Sequence, residues 1–430
     1  MSNSQAGDDR RAERDRRPRV LIGVGGGIAA YKVCSVIRHF KEAGADVRVI
    51  PTDSALNFVG AATFEALSGN PVSTTVFDDV DEVAHVRLGQ QADLVIVAPA
   101  TADLMARAAS GRADDLLTAS LLTVRAPVLY VPAMHTEMWE HPATQANVAT
   151  LRAHGATVMT PASGRLTGTD SGAGRLPDPQ EISLIGELLL DRADALPYDL
   201  NGIRVLVSAG GTREPLDPVR YLGNRSSGKQ GYALARAAAQ RGAQVTLVAG
   251  ATDEPGDPAG VDIVRIETAA QLSTEMTKRA VDADVVIMAA AVADFRPLAV
   301  SEAKIKKGAD GPAPIELDTN PDILHGLVES RAAGDIPAST VIVGFAAETG
   351  DERGGVLDHG REKLRRKGTD LLVVNAVGAG KAFGTVDNTG WLLSSTGTET
   401  ALPLASKTLM ASRILDEIAL LVPDWDARNV

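Results

Sequence analysis

Short apolar runs alternate with helical periodicity along the chain. Residues 19–24 (RVLIGV) are apolar and rich in β-branched side chains, which predicts a buried strand. Apolar positions from Ile28 to Phe40 then recur at helical spacing, and Gly44 ends the predicted helix. DVRVI predicts the next strand, so this segment predicts a β-α-β unit.

Further apolar runs extend the pattern through the first half of the chain. ADLVIVAPA, APVLYVPA and GATVMTPA predict strands that are buried on both faces, as strands of a parallel sheet between helices are. ASGRADDLLTASLL predicts a helix between the first two of these strands.

The pattern restarts at residues 202–211 (GIRVLVSAGG), where a strand again runs into glycines and then a helix. ADVVIMAAA, STVIVGFAA and TDLLVVNAV predict further strands. GWLLSSTGTETALPL predicts a hairpin, and SKTLMASRILDEIALLV predicts a closing helix. The sequence therefore predicts an α/β protein with two doubly wound, Rossmann-like parallel-sheet domains in tandem.

The domain limits follow from this repetition and from a Pro- and Asp-containing stretch between the two halves. The predicted segments are a disordered leader at 1–17, a first domain at 18–188, a linker at 189–201, a second domain at 202–420 and a tail at 421–430.

Composition and charge narrow the function classes. The net charge of −12 argues against a general binder of nucleic acid or anionic membranes. The single cysteine, Cys34, excludes internal disulfides and a cysteine-cluster metal site. No apolar run reaches the roughly 18 residues needed to span a bilayer. The first residues lack the apolar segment of a signal peptide, so we expect a cytoplasmic protein.

The glycine-rich loop after the first strand has Gly25, Gly27 and Ala30 at the spacing of a dinucleotide fingerprint. An NAD site also needs an acidic residue at the end of the second strand to bind the ribose. That strand ends in IPTDSALNF, in which Asp53 leaves an NAD site open and the flanking hydroxyls suit a phosphate better.

Two other strand ends carry candidate chemistry. Residues 98–101 (APAT) are small, so a flat ring could lie against their backbone; the alternative is that they begin a helix. Residues 132–139 (PAMHTEMW) place a histidine, two methionines and a tryptophan at a strand end, where α/β sheets usually hold ligands.

GVGGGIAAYK, a single His85 and PAMHTEMW, in this order, resemble the FMN-dependent cysteine decarboxylases, a family that includes phosphopantothenoylcysteine decarboxylase. The resemblance covers about residues 18–188 and implies a Rossmann-like flavoprotein whose FMN sits between the subunits of a trimer. The implied FMN contacts are Gly26, Gly27, Ala29, Thr52, Ser54, Phe58, Ala98, Ala100 and Thr101. The implied substrate contacts are Met134, Met138, Trp139, Gly174 and Arg175.

The implied reaction needs the flavin because a cysteine carboxylate leaves as CO2 only if the remaining electrons have an acceptor. Oxidation of the CH2–SH carbon gives a thioaldehyde, which accepts those electrons as an enethiolate and is then reduced and protonated. The resemblance implies that His85 is the base near the thiol carbon. It places His135 where the family has an asparagine that holds the substrate carboxylate, and histidine can also donate that hydrogen bond.

The flap that follows departs from the family pattern. The family often has ACGDVGPGRMPEP, with a proton-donating cysteine, whereas this chain has TGTDSGAGRLPDP with Gly168 or Thr169 in the position of the cysteine. Water, Thr169, Asp170 or a histidine could supply the proton, or the reaction could stop early. We interpret Cys34, in the first predicted helix, as a core or near-core residue.

The second half gathers cations at predicted strand-end loops. KIKK at 304–307 follows AAAVADFRP, and KLRRK lies at 363–367. In an acidic chain such clusters favour a polyanion, and a nucleoside triphosphate is the simplest one. The Gly-rich turn and the helix that begins near Ser227 could also hold phosphate, although the spacing is not that of a Walker A loop.

GGTREPLDPVRYLGNRSSGKQG followed by AAAVADFRP, KIKK, NPDI, GFAAET and KLRRK resembles phosphopantothenate–cysteine ligase over about residues 199–420. Both domains in this order are similar to the bacterial bifunctional enzyme of coenzyme A biosynthesis. The resemblance implies CTP, Mg2+ or Mn2+ with unknown ligands, and a dimer of ligase domains. Combined with a trimeric flavin domain, such a dimer permits a dodecamer.

In the implied ligase reaction, the carboxylate of 4′-phosphopantothenate attacks the α-phosphate of CTP, and the cysteine amine then attacks the acyl-cytidylate. The resemblance places Lys304 at the α-phosphate and Asn224 at the acyl intermediate. The implied CTP contacts are Ala289, Ala290, Asp294, Lys304, Asn320, Pro321, Asp322, Ile323, Phe345, Lys363 and Lys367.

We therefore expect an enzyme that ligates 4′-phosphopantothenate to cysteine and decarboxylates the product to 4′-phosphopantetheine. Its partners would be these small molecules and further copies of the chain. Two alternatives remain: a flavin- or NAD(P)-dependent oxidoreductase with an appended nucleotide-binding domain, and a non-catalytic binding protein.

Overall fold

The computed structural model of the chain describes residues 16–74, 83–166, 170–254, 256–306, 314–348, 354–376 and 387–422. The chain divides into two compact units between Pro197 and Tyr198, within the segment predicted as the linker. The predicted leader and tail lie largely outside the described residues, and so do Gly168, Thr169 and Lys307.

The first unit contains a parallel sheet with the strand order β2-β1-β3-β4-β5. Its strands are β1 (Arg19–Val24), β2 (Asp46–Pro51), β3 (Leu94–Ala100), β4 (Val128–Pro132) and β5 (Thr157–Val158). The chain moves from β1 outward to β2 and then returns to the other side of β1. The resulting reversal between β1 and β3 creates the crevice where open α/β sheets bind ligands.

Helices and a small hairpin complete the first unit. The hairpin pairs β6 (Ala162–Arg165) with β7 (Ser171–Arg175). The helices are α1 (Ala30–Glu42), α2 (Ala61–Ser68), α3 (Ala84–Gln91), α4 (Ala102–Ala109), α5 (Leu116–Leu121), α6 (Thr136–Glu140), α7 (Pro142–Ala153) and α8 (Pro179–Asp191).

The long helix predicted from ASGRADDLLTASLL is wrong in its first half. Helix α4 ends at Ala109, and Gly111 has a φ of +69°, which breaks the helical path. Asp115 then caps α5: its side chain accepts a hydrogen bond from the Thr118 amide at 2.7 Å. The predicted strand GATVMTPA is also shorter, since only Thr157 and Val158 pair with β4 as a strand.

The second unit contains a mixed sheet with the order β12-β11-β8-β13-β16-β17-β18-β19. The strands from β12 to β17 are parallel, and the predicted hairpin is confirmed as the antiparallel pair β18 and β19. The strands are β8 (Arg204–Ala209), β11 (Gln244–Ala249), β12 (Val261–Arg265), β13 (Val285–Met288), β16 (Val341–Glu348), β17 (Leu371–Ala376), β18 (Asp387–Ser394) and β19 (Glu399–Ser406).

Two short hairpins and several helices surround this sheet. The hairpins pair β9 (Arg213–Pro215) with β10 (Tyr221–Gly223), and β14 (Phe295–Pro297) with β15 (Leu317–Thr319). The helices are α9 (Lys229–Gln240), α10 (Ala269–Ala280), α11 (Ile323–Ala333), α12 (Val356–Lys367) and α13 (Lys407–Ala419). The prediction of two doubly wound α/β domains in tandem is confirmed.

A buried arginine ties the start of the second unit to its last helix. The Arg241 side chain is 1% exposed and donates to Asp199 Oδ1 at 2.7 Å and to Asp416 Oδ1 at 2.9 Å. The carboxylates offset the cost of burying this charge. Within the described part of the chain, no helix is long and apolar enough to cross a membrane.

Candidate functional site

The first unit has a cavity of about 970 Å³ at the crevice between β1 and β3. This volume lies within the roughly 300–1,000 Å³ typical of small-molecule and cofactor sites. The predicted site residues that line it are Gly26, Gly27, Ala29, Thr52, Ser54, Thr101, Met134, His135, Met138, Gly174 and Arg175.

Close backbone packing explains the glycines of the loop after β1. A Cβ on Gly25 would lie 2.2 Å from the carbonyl oxygen of Pro99, and one on Gly26 would lie 2.3 Å from the Cβ of Ser54. Because both positions exclude side chains, the loop backbone itself can form the cavity wall. A bound phosphate or ring could approach that backbone closely.

Three hydroxyl side chains lie at the same edge of the sheet. Thr52 and Ser54 line the cavity, whereas Asp53 between them does not. This arrangement favours phosphate over the ribose contact that an NAD site requires. Thr101 accepts a hydrogen bond from the Leu104 amide at 3.2 Å and caps α4, so the helix-start interpretation of APAT is confirmed, and Thr101 also lines the cavity.

The PAMHTEMW segment is held against the flap strand β7. The Met134 amide donates to the Gly174 carbonyl at 2.9 Å. Gly174 has a φ of +133°, and a Cβ there would lie 2.3 Å from the Met134 carbonyl oxygen, so this contact requires glycine. His135 Nδ1 lies 3.9 Å from Asp170 Oδ2, which brings one candidate proton donor close to the histidine.

Several predicted residues lie outside the cavity lining. Phe58 is half exposed, Ala98 and Ala100 are buried in β3, and Trp139 packs against the core of the sheet. His85 lies on α3, where its Nδ1 is buried and has no hydrogen-bond partner among the described residues. A single chain therefore does not bring these five side chains to the cavity.

Cys34 lies on α1 and is half buried. Burial raises the pKa of its thiol, which keeps it protonated and unreactive at neutral pH. It is absent from the cavity lining, in agreement with a near-core role.

Sequence reasoning missed three cations in the cavity wall, Lys32, Arg107 and Arg165. Arg107 is paired with Asp103, Asp114 and Asp115 at 3.0, 3.0 and 2.6 Å. The Lys32 side chain has no ion pair or hydrogen bond among the described residues. The signal for Lys32 was present in GVGGGIAAYK, since a first-turn helical residue after a glycine-rich loop faces the same crevice.

The second unit places its candidate residues at the equivalent crevice, between β8 and β13. Three polar side chains hydrogen-bond the backbone that follows β13. Asn224 Nδ2 donates to the Val292 carbonyl at 2.7 Å, and Asn320 Nδ2 donates to the Ala293 carbonyl at 2.9 Å. Thr212 Oγ1 accepts from the Ala293 amide at 2.9 Å. Asp294, Ala289 and Ala290 belong to this same stretch of chain.

The loop that carries Lys304 is fastened by two residues that sequence reasoning did not select. Asp217 Oδ2 accepts from the Ile305 amide at 3.1 Å, and Arg220 donates to the Ile305 carbonyl at 2.5 Å. Arg220 and Asp217 also pair with each other at 2.7 Å. Lys304 itself is exposed and makes no ion pair within the described ranges.

The Asp217 carboxylate is strongly stabilised in its charged form. Burial alone would raise its pKa, but hydrogen bonds from the Val219, Ile305 and Arg220 amides and from the Arg220 guanidinium lower the pKa to about 2. Asp217 is therefore an anion throughout the neutral range.

Three further predicted CTP residues, Lys363, Lys367 and Asp322, are engaged with other groups of the protein. Lys363 Nζ lies 3.0 Å from Glu348 Oε1, and Lys367 pairs with Asp322. Asp322 also caps α11 by accepting from the His325 amide at 3.1 Å. Burial opposes ionisation of Asp322, but the hydrogen bond from Lys367 lowers its pKa. Ile323 and Phe345 are buried or half buried, and Pro321 is exposed.

A groove of about 480 Å³ adjoins Asn224 and includes Arg213, Ser226 and Ser227. The Arg213 guanidinium stacks over the Tyr221 ring at 4.6 Å. The helix predicted near Ser227 begins at Lys229, after Gly228 with a φ of +74°. Among the described residues, no group of three His, Cys, Asp or Glu side chains is arranged to hold a metal ion.

Comparisons with known proteins match both units. A model of the flavoprotein family matches residues 9–186, and one of the DNA/pantothenate metabolism flavoprotein C-terminal domain matches residues 200–421. The chain is 66% identical over 410 residues to the coenzyme A biosynthesis bifunctional protein CoaBC of Mycolicibacterium smegmatis, covering 95% of this chain and 99% of the relative.

More distant relatives show the same span. The CoaBC protein of Vibrio vulnificus is 41% identical over 408 residues, covering 94% of this chain and 98% of the relative. Among solved structures, the C-terminal domain of a CoaBC protein is 35% identical, covers 53% of this chain and 99% of that chain, and has a TM-score of 0.43.

Proposed function

The chain belongs to the family of bifunctional coenzyme A biosynthesis proteins, with phosphopantothenoylcysteine decarboxylase and ligase activities, and on this premise we propose how its two units divide the work. The second unit joins 4′-phosphopantothenate to cysteine at the expense of CTP, through an acyl-cytidylate. The first unit decarboxylates the resulting 4′-phosphopantothenoylcysteine to 4′-phosphopantetheine.

The cavity of the first unit fits FMN. Its wall combines glycines that exclude side chains with the hydroxyls of Thr52, Ser54 and Thr101. When bound, FMN supplies a reversible two-electron acceptor for the carbon beside the thiol. The chain's own residues bind the phosphate, present the loop backbone to the ring and exclude water from the crevice.

His135 and its neighbours hold the substrate. His135 donates to the substrate carboxylate from the cavity wall, with Met134 and Met138 as apolar contacts. Asp170, 3.9 Å from the histidine, is placed to hold or pass on a proton. His85 is the base near the thiol carbon; since it lies outside the cavity of its own chain, the assembly that brings it there is a homo-oligomer, with a trimer of flavin units.

In the second unit, Lys304 neutralises the α-phosphate of CTP and Asn224 stabilises the acyl intermediate. Positioning and charge neutralisation dominate phosphoryl chemistry of this kind. Asp294, Asn320, Lys363 and Lys367 contact the nucleotide, and Mg2+ accompanies the triphosphate. A dimer of ligase units completes this half.

The single structural observation that supports the proposal is that each unit has predicted residues at the reversal of strand order in its own sheet. In the first unit the glycine loop, the hydroxyls and His135 line one cavity. In the second unit Asn224 and Asn320 hydrogen-bond the same two-residue stretch after β13. Two independent crevices correspond to two consecutive reactions.

A mass-spectrometric assay tests both halves. Purified protein is incubated with 4′-phosphopantothenate, cysteine, CTP and Mg2+, and we expect 4′-phosphopantetheine. Lys304→Gln should lower the ligation rate by about 100- to 1,000-fold, as loss of a charged transition-state contact does. The same variant should still decarboxylate added 4′-phosphopantothenoylcysteine, which provides the internal control.

Three outcomes would contradict the proposal. Accumulation of 4′-phosphopantothenoylcysteine would mean that the first unit has lost or changed its activity. Formation of neither product would favour a binding protein. A nicotinamide-dependent reaction without CTP consumption would favour the oxidoreductase alternative.

A further inference from the structure

A buried threonine of the second unit, Thr212, makes two hydrogen bonds to the stretch of chain that follows β13. Thr212 is 1% exposed and lies just after the glycine turn at the end of β8. We propose that Thr212 is a positioning residue for the ligase reaction, and that it acts through Asn224. This inference rests on the proposed ligase function and adds to it a residue that orients another side chain.

The two hydrogen bonds of Thr212 lie on both sides of Val292. The backbone N–H of Thr212 donates to the Ala291 carbonyl at 3.2 Å. The Thr212 hydroxyl accepts from the amide of Ala293, a residue that is 2% exposed, at 2.9 Å. The peptide group before Val292 and the one after it are therefore both held by one residue.

Asn224 binds the other end of the second of these peptide groups. The Val292 carbonyl and the Ala293 amide belong to one planar peptide unit. Asn224 Nδ2 donates to that carbonyl at 2.7 Å, while Thr212 Oγ1 accepts from the amide. Because the plane is rigid, a rotation that follows loss of the hydroxyl would also move the acceptor of Asn224.

The hydrogen bond to Val292 fixes the direction of the whole Asn224 side-chain amide. A carbonyl oxygen only accepts hydrogen bonds, so the nitrogen of the amide must face it. Asn224 is exposed, and an exposed asparagine without such an anchor samples several rotamers. With the nitrogen held, the Oδ1 atom and the second N–H keep one orientation towards the acyl intermediate.

The main chain of Asn224 also packs against the segment that carries Thr212. A Cβ on Gly211, the residue before Thr212, would lie 2.9 Å from the Asn224 carbonyl oxygen. The Gly211 amide is itself fixed by a 2.9 Å hydrogen bond to the Ala251 carbonyl. Both the backbone and the side chain of Asn224 therefore depend on the position of this segment.

Asn320 uses a different peptide group of the same stretch. Its Nδ2 donates at 2.9 Å to the Ala293 carbonyl, which belongs to the peptide group after the one that Asn224 and Thr212 share. The Asn320 amide also donates to the Asp294 carbonyl at 2.9 Å. We therefore expect loss of the Thr212 hydroxyl to displace Asn224 more than Asn320.

The test removes the hydroxyl and measures both kinetic constants of ligation. Thr212→Val should lower the kcat of amide formation by about 5- to 20-fold, because small displacements of a group at the reacting centre are costly. The KM for CTP should change by about twofold or less, since Asn224 acts on the acyl intermediate. Thr212→Ala should give the same result, and Thr212→Ser should restore most of the kcat because it keeps the hydroxyl.

Thr340→Val is the matched control for the loss of a buried threonine hydroxyl. Thr340 is 2% exposed, and its Oγ1 donates to the Ala283 carbonyl at 2.9 Å, just before the start of β13. The substitution removes one buried hydrogen bond at the opposite end of the same strand. We expect Thr340→Val to lower the temperature of unfolding as Thr212→Val does, but to leave the kcat unchanged.

A double-mutant cycle tests whether the effect passes through Asn224. In an Asn224→Ala background, Thr212→Val should change the single-turnover rate of amide formation by about twofold or less, because residues that act together are not additive. Hydrogen exchange resolved to single amides tests the contact itself. Exchange at Ala293 should be about 2- to 10-fold faster in Thr212→Val and unchanged in Thr212→Ser.

The inference is overturned if Thr212→Val and Thr340→Val lower the kcat equally, or if the loss persists in full in the Asn224→Ala background. It is also overturned if Thr212→Val raises the KM for CTP at an unchanged kcat, since Thr212 would then act on the nucleotide through Asn320. Wild type that forms no amide bond would overturn the proposed ligase function and this inference with it. An active wild type whose Thr212→Val variant keeps its full kcat would overturn this inference alone.

Discussion

The two units place their candidate sites at the same point of the sheet, yet their side chains are engaged differently. In the first unit the glycine loop, the hydroxyls and Lys32 surround a cavity of about 970 Å³. In the second unit Lys363 pairs with Glu348, and Lys367 with Asp322. The first site is open to its ligands, whereas the second satisfies much of its charge internally.

This difference has an energetic meaning. Binding to a preformed cavity costs little free energy of reorganisation. The specificity of such a site therefore depends on its shape and on the few charges left unpaired. In a site whose lysines are already paired with carboxylates, the nucleotide must replace those ion pairs. Binding is then favoured only by the difference in free energy between the lysine–nucleotide and the lysine–carboxylate interactions. We therefore expect the first site to be sensitive to steric change and the second to changes in its internal pairs.

The largest effect is expected from filling the space that the first site keeps free. Gly26→Ala would place a Cβ 2.3 Å from Ser54 Cβ, so the loop must shift. Overpacking of this kind costs about 1–3 kcal/mol, which corresponds to a loss of about 5- to 150-fold in FMN affinity. Gly60→Ala is the matched control, because a Cβ there meets no atom within 4 Å. Fluorescence titration would measure the FMN affinity of both variants. Equal affinities would mean that the loop of the first site adapts to the added methyl group.

A smaller effect is expected from loosening the loop that carries Lys304. Asp217→Asn removes the negative charge that pairs with Arg220 and receives the Ile305 amide. We expect about a tenfold lower ligase kcat, because a misplaced lysine loses contact mainly in the transition state. Steady-state kinetics would show kcat falling more than the KM for CTP changes, with decarboxylase activity unaltered. An unchanged kcat would mean that the loop is positioned by other contacts.

The same substitution has a pH signature. Because the folded-state pKa of Asp217 is lowered to about 2, its contribution to stability is present above about pH 4 and is lost as the pH falls towards 2. Asp217→Asn should flatten this part of the acid-unfolding profile of the second unit, as followed by circular dichroism.

The smallest effect is expected from releasing one internal pair of the second site. Glu348→Gln frees Lys363 from a partly buried ion pair, and such pairs contribute about 0.2–1 kcal/mol. We expect the KM for CTP to fall about two- to fivefold. Glu362→Gln serves as the control, because Glu362 is exposed and lies next to Lys363 on the same helix. A rise in the KM would show that Glu348 orients Lys363 for the nucleotide instead of competing with it.

Local patterns explain which features could be predicted from the sequence. The strand RVLIGV and the glycine loop after it are determined by residues adjacent in the sequence. The observed β1 accordingly has the predicted bounds, Arg19–Val24. The closing helix and the last hairpin also depend on local periodicity and turn residues. The helix predicted from ASGRADDLLTASLL was wrong in its first half. The prediction relied on the spacing of apolar positions and gave too little weight to the glycine that breaks the helix and to the aspartate that caps the next one.

Long-range contacts explain what could not be predicted. The bonds from Asp217 and Arg220 to Ile305 join residues more than 80 positions apart, and no periodicity encodes them. Lys32 and Arg175, far apart in the sequence, line the same cavity only because α1 and the flap both border it. The position of His85 outside that cavity likewise depends on tertiary structure alone.

The buried Arg241 has a consequence for where the second unit can be cut. A fragment that begins at residue 202 keeps every strand of the large sheet but lacks Asp199, one of the two carboxylates that neutralise this guanidinium. Removing one partner from a buried ion pair costs about 3–5 kcal/mol, a large part of a domain's stability. The smallest fragment of this half that folds by itself must therefore include the carboxylate that neutralises this one side chain. That carboxylate lies several residues before the first strand of the sheet.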